Sequence, residues 1–212
     1  MRIVVFGATG MVGSRVAAEA ARRGHRVTAV SRSGRSPVPG VVAAGADASD
    51  PAKVAALVAG ADVVASACAP PRDGSDPEEP FLALNRSLVQ GMRGAGVRRL
   101  VVVGGAGSLE VAPGRALCDQ PGFPQAYLPE ALAHRAVLEF YRTAASDLDW
   151  TYVSPAAEIG PGERTGRFRV DDDRLLTDAY GNSRISAEDY AVAFLDEVEQ
   201  RAHVRARMSV AY

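Results

Sequence analysis

Three glycines near the start of the chain are spaced to bind a phosphate. Gly7-Ala8-Thr9-Gly10-Met11-Val12-Gly13 reads G-x-x-G-x-x-G. It follows the apolar run 3–6 and opens a stretch in which Val16, Ala17, Ala20 and Ala21 recur at helical spacing. Gly7 permits a tight turn, Gly10 lets backbone approach a pyrophosphate, and Gly13 lets helix lie close on strand. Thr9, Met11 and Val12 complete the turn. The helix N-terminus adds unpaired N–H groups and a partial positive charge. The implied chemistry is dinucleotide binding. The end of the second apolar run, Val30-Ser31-Arg32-Ser33, refines it. An acid there would hold the ribose 2′-hydroxyl of NAD, and none is present. Arg32 with the Ser31 hydroxyl, and Arg35 nearby, suits a 2′-phosphate, so NADPH is expected over NADH. Asp47 is placed to accept from the adenine amino group, or simply to cap a loop.

These residues need a frame. Strand-length apolar runs lie at 3–6, 26–30, 41–46, 62–67, 100–103 and 150–153, with a last one at 207–210. Helical stretches lie between them, at 13–23, 51–58, a segment ending near 94, 129–145 and 187–199. Pro51 suits a first helical turn. Ser186 is a plausible N-cap with Asp189 at the third helical position. Continuous apolar runs read as strands buried on both faces, hence a parallel sheet. Alternating strand and helix predicts an α/β, Rossmann-type doubly wound sheet, with the ligand site at the strands' C-terminal ends. Residues 1–212 are expected to form one domain. Beyond about 155, short polar pieces predict a small C-terminal lobe on the substrate side.

Composition excludes several classes. The net charge is -1, with no basic block, which argues against nucleic acid as a partner. No uncharged apolar stretch approaches the roughly 18 residues of a membrane span. The apolar run 3–6 leads straight into the glycine turn, so a signal peptide is not expected, and the cytoplasm is the default compartment. Cys68 and Cys118 lack metal-ligand spacing, and no metal site is expected. The expected partner is a small-molecule acceptor, for a monomer or small homo-oligomer. Of 24 basic residues, 23 are Arg and one is Lys53. Lysine-based catalysis therefore rests on Lys53 or does not occur.

The glycine turn resembles that of the atypical short-chain dehydrogenase/reductase superfamily. The chain is most similar to its NAD(P)H-binding branch, related to biliverdin reductase B and to proteins described as NADH-flavin reductases. GATGMVGSR at 7–15, LVVVGGAGSLEVAPG at 100–114, YLPEALAH at 127–134, LDWTYVSPAAEIGPGERTG at 148–166 and SRISAEDYA at 183–191 carry the resemblance. It implies a Rossmann fold, a nicotinamide cofactor and flavin reduction. One departure matters. Standard members use Tyr-x-x-x-Lys, the lysine lowering the tyrosine pKa for proton transfer. Here Tyr127, Tyr141 and Tyr152 are followed at the fourth position by Ala131, Ala145 and Ala156. The usual serine after the fifth strand is replaced by Gly104-Gly105-Ala106-Gly107, with Ser108 displaced.

Hydride transfer to a flavin survives that loss, because it depends on proximity and stacking. Small residues at three strand ends would leave room for two flat rings: Ala67, Cys68, Ala69 and Pro70; Gly104, Gly105 and onward to Ser108; Ser154, Pro155, Ala156 and Ala157. Ser108, Tyr127 and His134 are the weak catalytic candidates. His134 is expected on a helix surface, with proton donation as its alternative role, and Arg135 is a candidate to orient phosphate or ribose. Segment 109–125 reads as a long structureless lid, with Phe123 and Tyr127 as aromatic contacts. Glu163, Arg164, Arg167 and Arg169 form a solvated face or an opposite rim. Asp171-Asp172-Asp173 reads as a solvated turn. Two functions fit: an NAD(P)H-dependent reductase of flavins or similar flat acceptors, or an NmrA-like sensor in which NADP binding regulates a partner without turnover.

Overall fold

The structure is a computed structural model describing residues 1–212. In chain order the core elements are β1 (Arg2–Phe6), α1 (Met11–Arg22), β2 (Arg26–Ser31), β3 (Val42–Gly45), α2 (Pro51–Val58), β4 (Val63–Ser66), α3 (Glu78–Ala95) and β5 (Arg99–Val103). A short hairpin, β6 (Glu110–Ala112) with β7 (Arg115–Ala116), leads to α4 (Leu128–Ala144) and β8 (Asp149–Ser154). Then come β9 (Glu158–Gly160), β10 (Arg169–Asp171), β11 (Arg184–Ser186), α5 (Ala187–Gln200) and β12 (Ala206–Ala211).

The main sheet runs β10-β12-β8-β5-β4-β1-β2-β3. All neighbours pair in parallel except β10, which lies antiparallel on β12. Side chains alternate between two cores, as the period of two demands. Ile3 and Val5 of β1 face the cluster that α1 and α5 complete with Val16, Ala20, Phe194 and Leu195. Val4 and Phe6 face the opposite cluster, built with Val54, Leu88, Met92 and Val137. Helices α2, α3 and α4 therefore cover one face, and α1 with α5 the other. This is the expected doubly wound sheet.

Several expectations change in detail. The run 41–46 is not a strand buried on both faces. β3 is the sheet edge, pairs only with β2, and leaves Val42 65% exposed. Beyond residue 155, α5 and β12 belong to the main layers, since β12 pairs with β8 and α5 packs on α1. Only the β9–β11 pair and the loops around it form a smaller piece outside the main sheet, beside the cleft. The lid segment is not structureless. It carries the β6–β7 hairpin and two single helical turns, Leu117–Asp119 and Gln125–Tyr127. The three-acid turn is not merely solvated, because Asp173 pairs with Arg142 and with the buried Arg207.

One buried acid ties the substrate-side loop to the first helix. Glu19 on α1 is 5% exposed and takes Arg22, Arg23 and Arg164. Arg164 reaches it with two 3.0 Å bonds from 145 residues away. Burial pushes the carboxyl pKa upward, but hydrogen bonds from Arg164, Arg22 and Arg23 together outweigh it. The net result is a carboxyl held far below the ordinary glutamate value of 4.5. A depressed folded-state pKa means stability that is complete above the unfolded value and lost as the pH falls below it. Glu19→Gln is expected to cost about 3 kcal/mol at neutral pH. Its unfolding free energy should also fall less steeply than the wild type's on acidification below about pH 5. Urea titrations across that range check this, and parallel acid limbs would contradict it.

Candidate functional site

The parallel strands end together on one side, and there a cleft of about 1500 Å³ opens. That exceeds the roughly 300–1,000 Å³ of an ordinary small-molecule pocket. Its floor is the glycine turn. Gly7 has a φ of +74°, open to glycine at little strain, and its backbone passes directly under Ala67. A Cβ on Gly7 would strike the Ala67 carbonyl oxygen, and one on Gly13 would strike the carbonyl oxygen of Gly7. Strand, turn and helix are thus in backbone contact. Gly10 caps α1 without a side chain, and the N–H groups of Met11 and Val12 donate to nothing within the chain. Met11 and Val12 line the cleft, and Thr9 is exposed beside them. This is the anion cradle that a pyrophosphate needs, so the residues fit a dinucleotide.

Beyond one end of this cleft lie Ser31, Arg32 and Asp47. Ser31 does not serve as expected. It is buried, and its hydroxyl donates to the Arg35 carbonyl at 2.8 Å and accepts the Arg35 N–H at 3.1 Å. The hydroxyl holds the turn and is engaged before any ligand arrives. Arg32 is exposed and makes no hydrogen bond. Asp47 accepts the Ser49 N–H and hydroxyl, which, with the nearby charge of Arg32, lower its pKa. Its second carboxylate oxygen makes no bond within the chain.

The small residues at three strand ends line the cleft together: Ala67, Cys68 and Ala69 after β4, Gly104 and Gly105 after β5, Pro155 and Ala156 after β8. Burial pushes the Cys68 thiol up to about 11, so it is a wall and not a nucleophile. The two β5 glycines have an additional cause. A Cβ on Gly104 would strike the Tyr152 ring, and one on Gly105 would lie 2.8 Å from Cγ of His134. They make room for these aromatic side chains.

The three catalytic candidates part company. Ser108 is turned away, because its carbonyl and hydroxyl oxygens accept the Arg207 guanidinium at 3.0 and 2.9 Å. Tyr127 lines the cleft at its exposed rim. His134 is not on a helix surface. It is buried and lines the cleft, with its ring edge-on to Phe81 at 4.9 Å. The Tyr152 hydroxyl lies 2.9 Å from the His134 carbonyl oxygen and 2.9 Å from Nδ1. Two oxygens that close need a proton between them, and only the tyrosine has one. Nδ1 must then carry its own proton and donate it to the Tyr152 oxygen. Nε2 is left as a lone pair. Burial lowers the imidazole pKa to about 4, with Glu130 pulling it up and Arg72 pushing it down. At neutral pH His134 is an acceptor, so the expected proton donor is not there. Arg135 also misses the cleft, since it pairs with Asp119 at 2.7 Å and contacts Cys118 in the lid. Lys53 pairs with Asp50 at 3.4 Å on α2 and lines no part of the cleft.

Some site residues escape a linear reading. Arg72 clasps Glu130 with bonds of 2.9 and 2.8 Å, bridging the loop after β4 to α4. Tyr127, Glu130, Ala131 and His134 recur at helical spacing, so one face of α4 forms a wall. That spacing was a signal available in the sequence. On the other rim, Ser186 holds the Glu163 carbonyl, and Asp189 takes the Gly166 N–H at 2.7 Å and the Thr165 hydroxyl at 2.5 Å. Of the four rim residues, Glu163 faces the cleft and Arg164 is turned to Glu19.

Gly10 and Gly13 separate binding from folding. A Cβ on Gly10 meets only the Gly7 oxygen at 3.4 Å, an ordinary contact. Gly10→Ala should keep the melting temperature and weaken nicotinamide dinucleotide binding. Gly13→Ala should lose about 2 kcal/mol of stability as well. Thermal melts and dinucleotide titrations check both, and unchanged binding in Gly10→Ala would contradict the cradle.

Comparison with known proteins agrees with this geometry. Residues 7–200 match the family model described as NAD(P)H-binding. The chain is 36% identical over 215 residues to the Bacillus subtilis protein YwnB, itself uncharacterized, covering 99% of this chain and 98% of that one. Among solved structures, a candidate exported protein from Burkholderia pseudomallei is 56% identical, with a TM-score of 0.90 and 100% of both chains covered. A candidate NADH-flavin reductase from Streptococcus pneumoniae is 32% identical, with a TM-score of 0.87, covering 100% of this chain and 99% of that one. The chain belongs to the NAD(P)H-binding family.

Proposed function

We propose that this protein is an NADPH-dependent reductase that delivers hydride directly to a flavin or a similarly flat acceptor, without a tyrosine-lysine pair. The observation that carries the reading is the make-up of the cleft wall, which holds a buried histidine and no lysine. Its one buried imidazole is neutral with Nε2 unprotonated, and its tyrosines stand without a lysine. Such a site can orient a molecule but offers no ready proton for a carbonyl. A flavin takes charge into its own heteroatoms, and its proton follows from water. The bound reduced nicotinamide supplies the hydride. The chain's part is to stack and align, which can lower a barrier by about 7 kcal/mol. The small residues after β4, β5 and β8 leave a flat slot for this, and Phe123 and Tyr127 border it under the lid. The S. pneumoniae relative's description supports the same acceptor class.

NADPH is the preferred cofactor in this reading. Arg32 is exposed, unpaired and close enough to Asp47 to lower its pKa, at the end of a strand that carries no acid. The physiological setting is the cytoplasm, with a small-molecule acceptor as the partner.

Steady-state oxidation of NADPH with FMN, riboflavin and a quinone panel tests the proposal. Rates no faster than the uncatalysed reaction would overturn it, and tight NADPH binding without turnover would instead favour a sensor that regulates a partner. Arg32→Ala should weaken NADPH about tenfold and leave NADH unchanged. Equal losses for the two cofactors would remove the 2′-phosphate role.

A further inference from the structure

The lining of the cleft contains one buried nitrogen acceptor that nothing in the chain uses. We propose that Nε2 of His134 is a specificity determinant, a fixed lone pair that selects flat heterocycles bearing a ring imide or lactam N–H. This rests on the reductase reading above and names what the acceptor must carry.

Four observations support it. The heavy-atom geometry assigns the tautomer, because the Tyr152 hydroxyl lies 2.9 Å from the His134 carbonyl oxygen, to which it donates, and 2.9 Å from Nδ1, which then donates to it. The ring is held in place, with Phe81 against one side and the Gly105 backbone so close that no Cβ would fit. Nε2 itself makes no hydrogen bond within the chain, is not sealed from solvent, and belongs to a ring that lines the cleft. The polar groups around it are already engaged: Glu130 by Arg72, and Gln120 by Arg115 and the Ala116 carbonyl. A ligand stacked over Gly104 and Gly105 therefore meets an uncommitted buried ring nitrogen, and that nitrogen only accepts.

The chemical consequence is directional. A ring N–H in the plane of a flat acceptor satisfies Nε2 with a neutral hydrogen bond. A carbonyl or a deprotonated ring nitrogen at the same place sets lone pair against lone pair. An N-methyl group there forfeits the bond and meets a rigid wall. Lumiflavin and 3-methyllumiflavin differ only by that methyl, and so serve as probes.

The test measures binding of both probes to the full chain saturated with NADP⁺, by quenching of flavin fluorescence, alongside NADPH affinity. Wild type should prefer lumiflavin roughly fivefold to tenfold, the size of one neutral hydrogen bond. His134→Phe should bring that ratio to about one, His134→Gln should retain part of it, and NADPH affinity should hold in both. Tyr152→Phe frees the tautomer and should lower the ratio without touching any ligand. A structural role alone would not move a ratio between two nearly identical ligands. Equal binding of both probes by wild type would overturn the inference while leaving the reductase reading intact. If His134→Phe weakens NADPH as much as lumiflavin, Nε2 serves a cofactor hydroxyl instead, and the inference falls. If neither flavin binds, the imide-bearing class fails. Turnover of NADPH with the quinone panel then shows whether the reductase reading fails with it.

Discussion

The backbone contact among β1, its glycine turn, α1 and the end of β4 is the constraint on which the site depends. Gly7 takes a positive φ and slides beneath Ala67, and Gly13 lies against the Gly7 carbonyl. A single methylene at either place would lift α1 away from the sheet. That would move its free N–H groups from the strand ends and shift the helix that carries Glu19. The cofactor cradle, the packing of α1 on α5 and the anchor of the opposite rim thus share one origin. A close-packed interior allows no gradual compromise there, because backbone atoms cannot repack as side chains do.

A second layer of constraint sits above the first. The glycines after β5 let Tyr152 and His134 press against the strand end, and those two rings then fix each other's protons. Burial outweighs the pull of Glu130 on the imidazole, so the ring stays neutral. At this strand end the sheet presents a neutral ring rather than a charged one. The absence of a lysine from the cleft wall and the burial of His134 both fit the proposed reading, in which orientation carries the reaction.

The rims are held by long-range ties. Asp189, Ser186 and Glu188 at the start of α5 hold the loop at 161–166, and the Arg72–Glu130 clasp joins the loop after β4 to α4. The clasp is largely exposed on its Arg72 side and contributes little stability. The α5 contacts reach a fully buried carboxylate, and the loop they hold is a fixed wall.

Much of this was legible in the chain's own order. The glycine turn, the alternation of apolar runs with helical stretches, the small residues at three strand ends and the absence of a lysine after any tyrosine are local patterns. Local patterns follow from backbone geometry over a few residues. The stripe of Tyr127, Glu130, Ala131 and His134 was equally local. What it faces was not. Whether His134 is solvated or buried depends on Tyr152, 18 residues on. Ser108 is captured by Arg207, 99 residues away, and Arg72 meets Glu130 across 58. The Ser31 hydroxyl is lost to Arg35 only because Gly34, at a φ of +68°, turns the chain back. The sequence by itself determined a nicotinamide-binding sheet without the usual dyad. Only the tertiary structure decided which way each candidate side chain faces and which protons it holds, because burial and long-range partners set both.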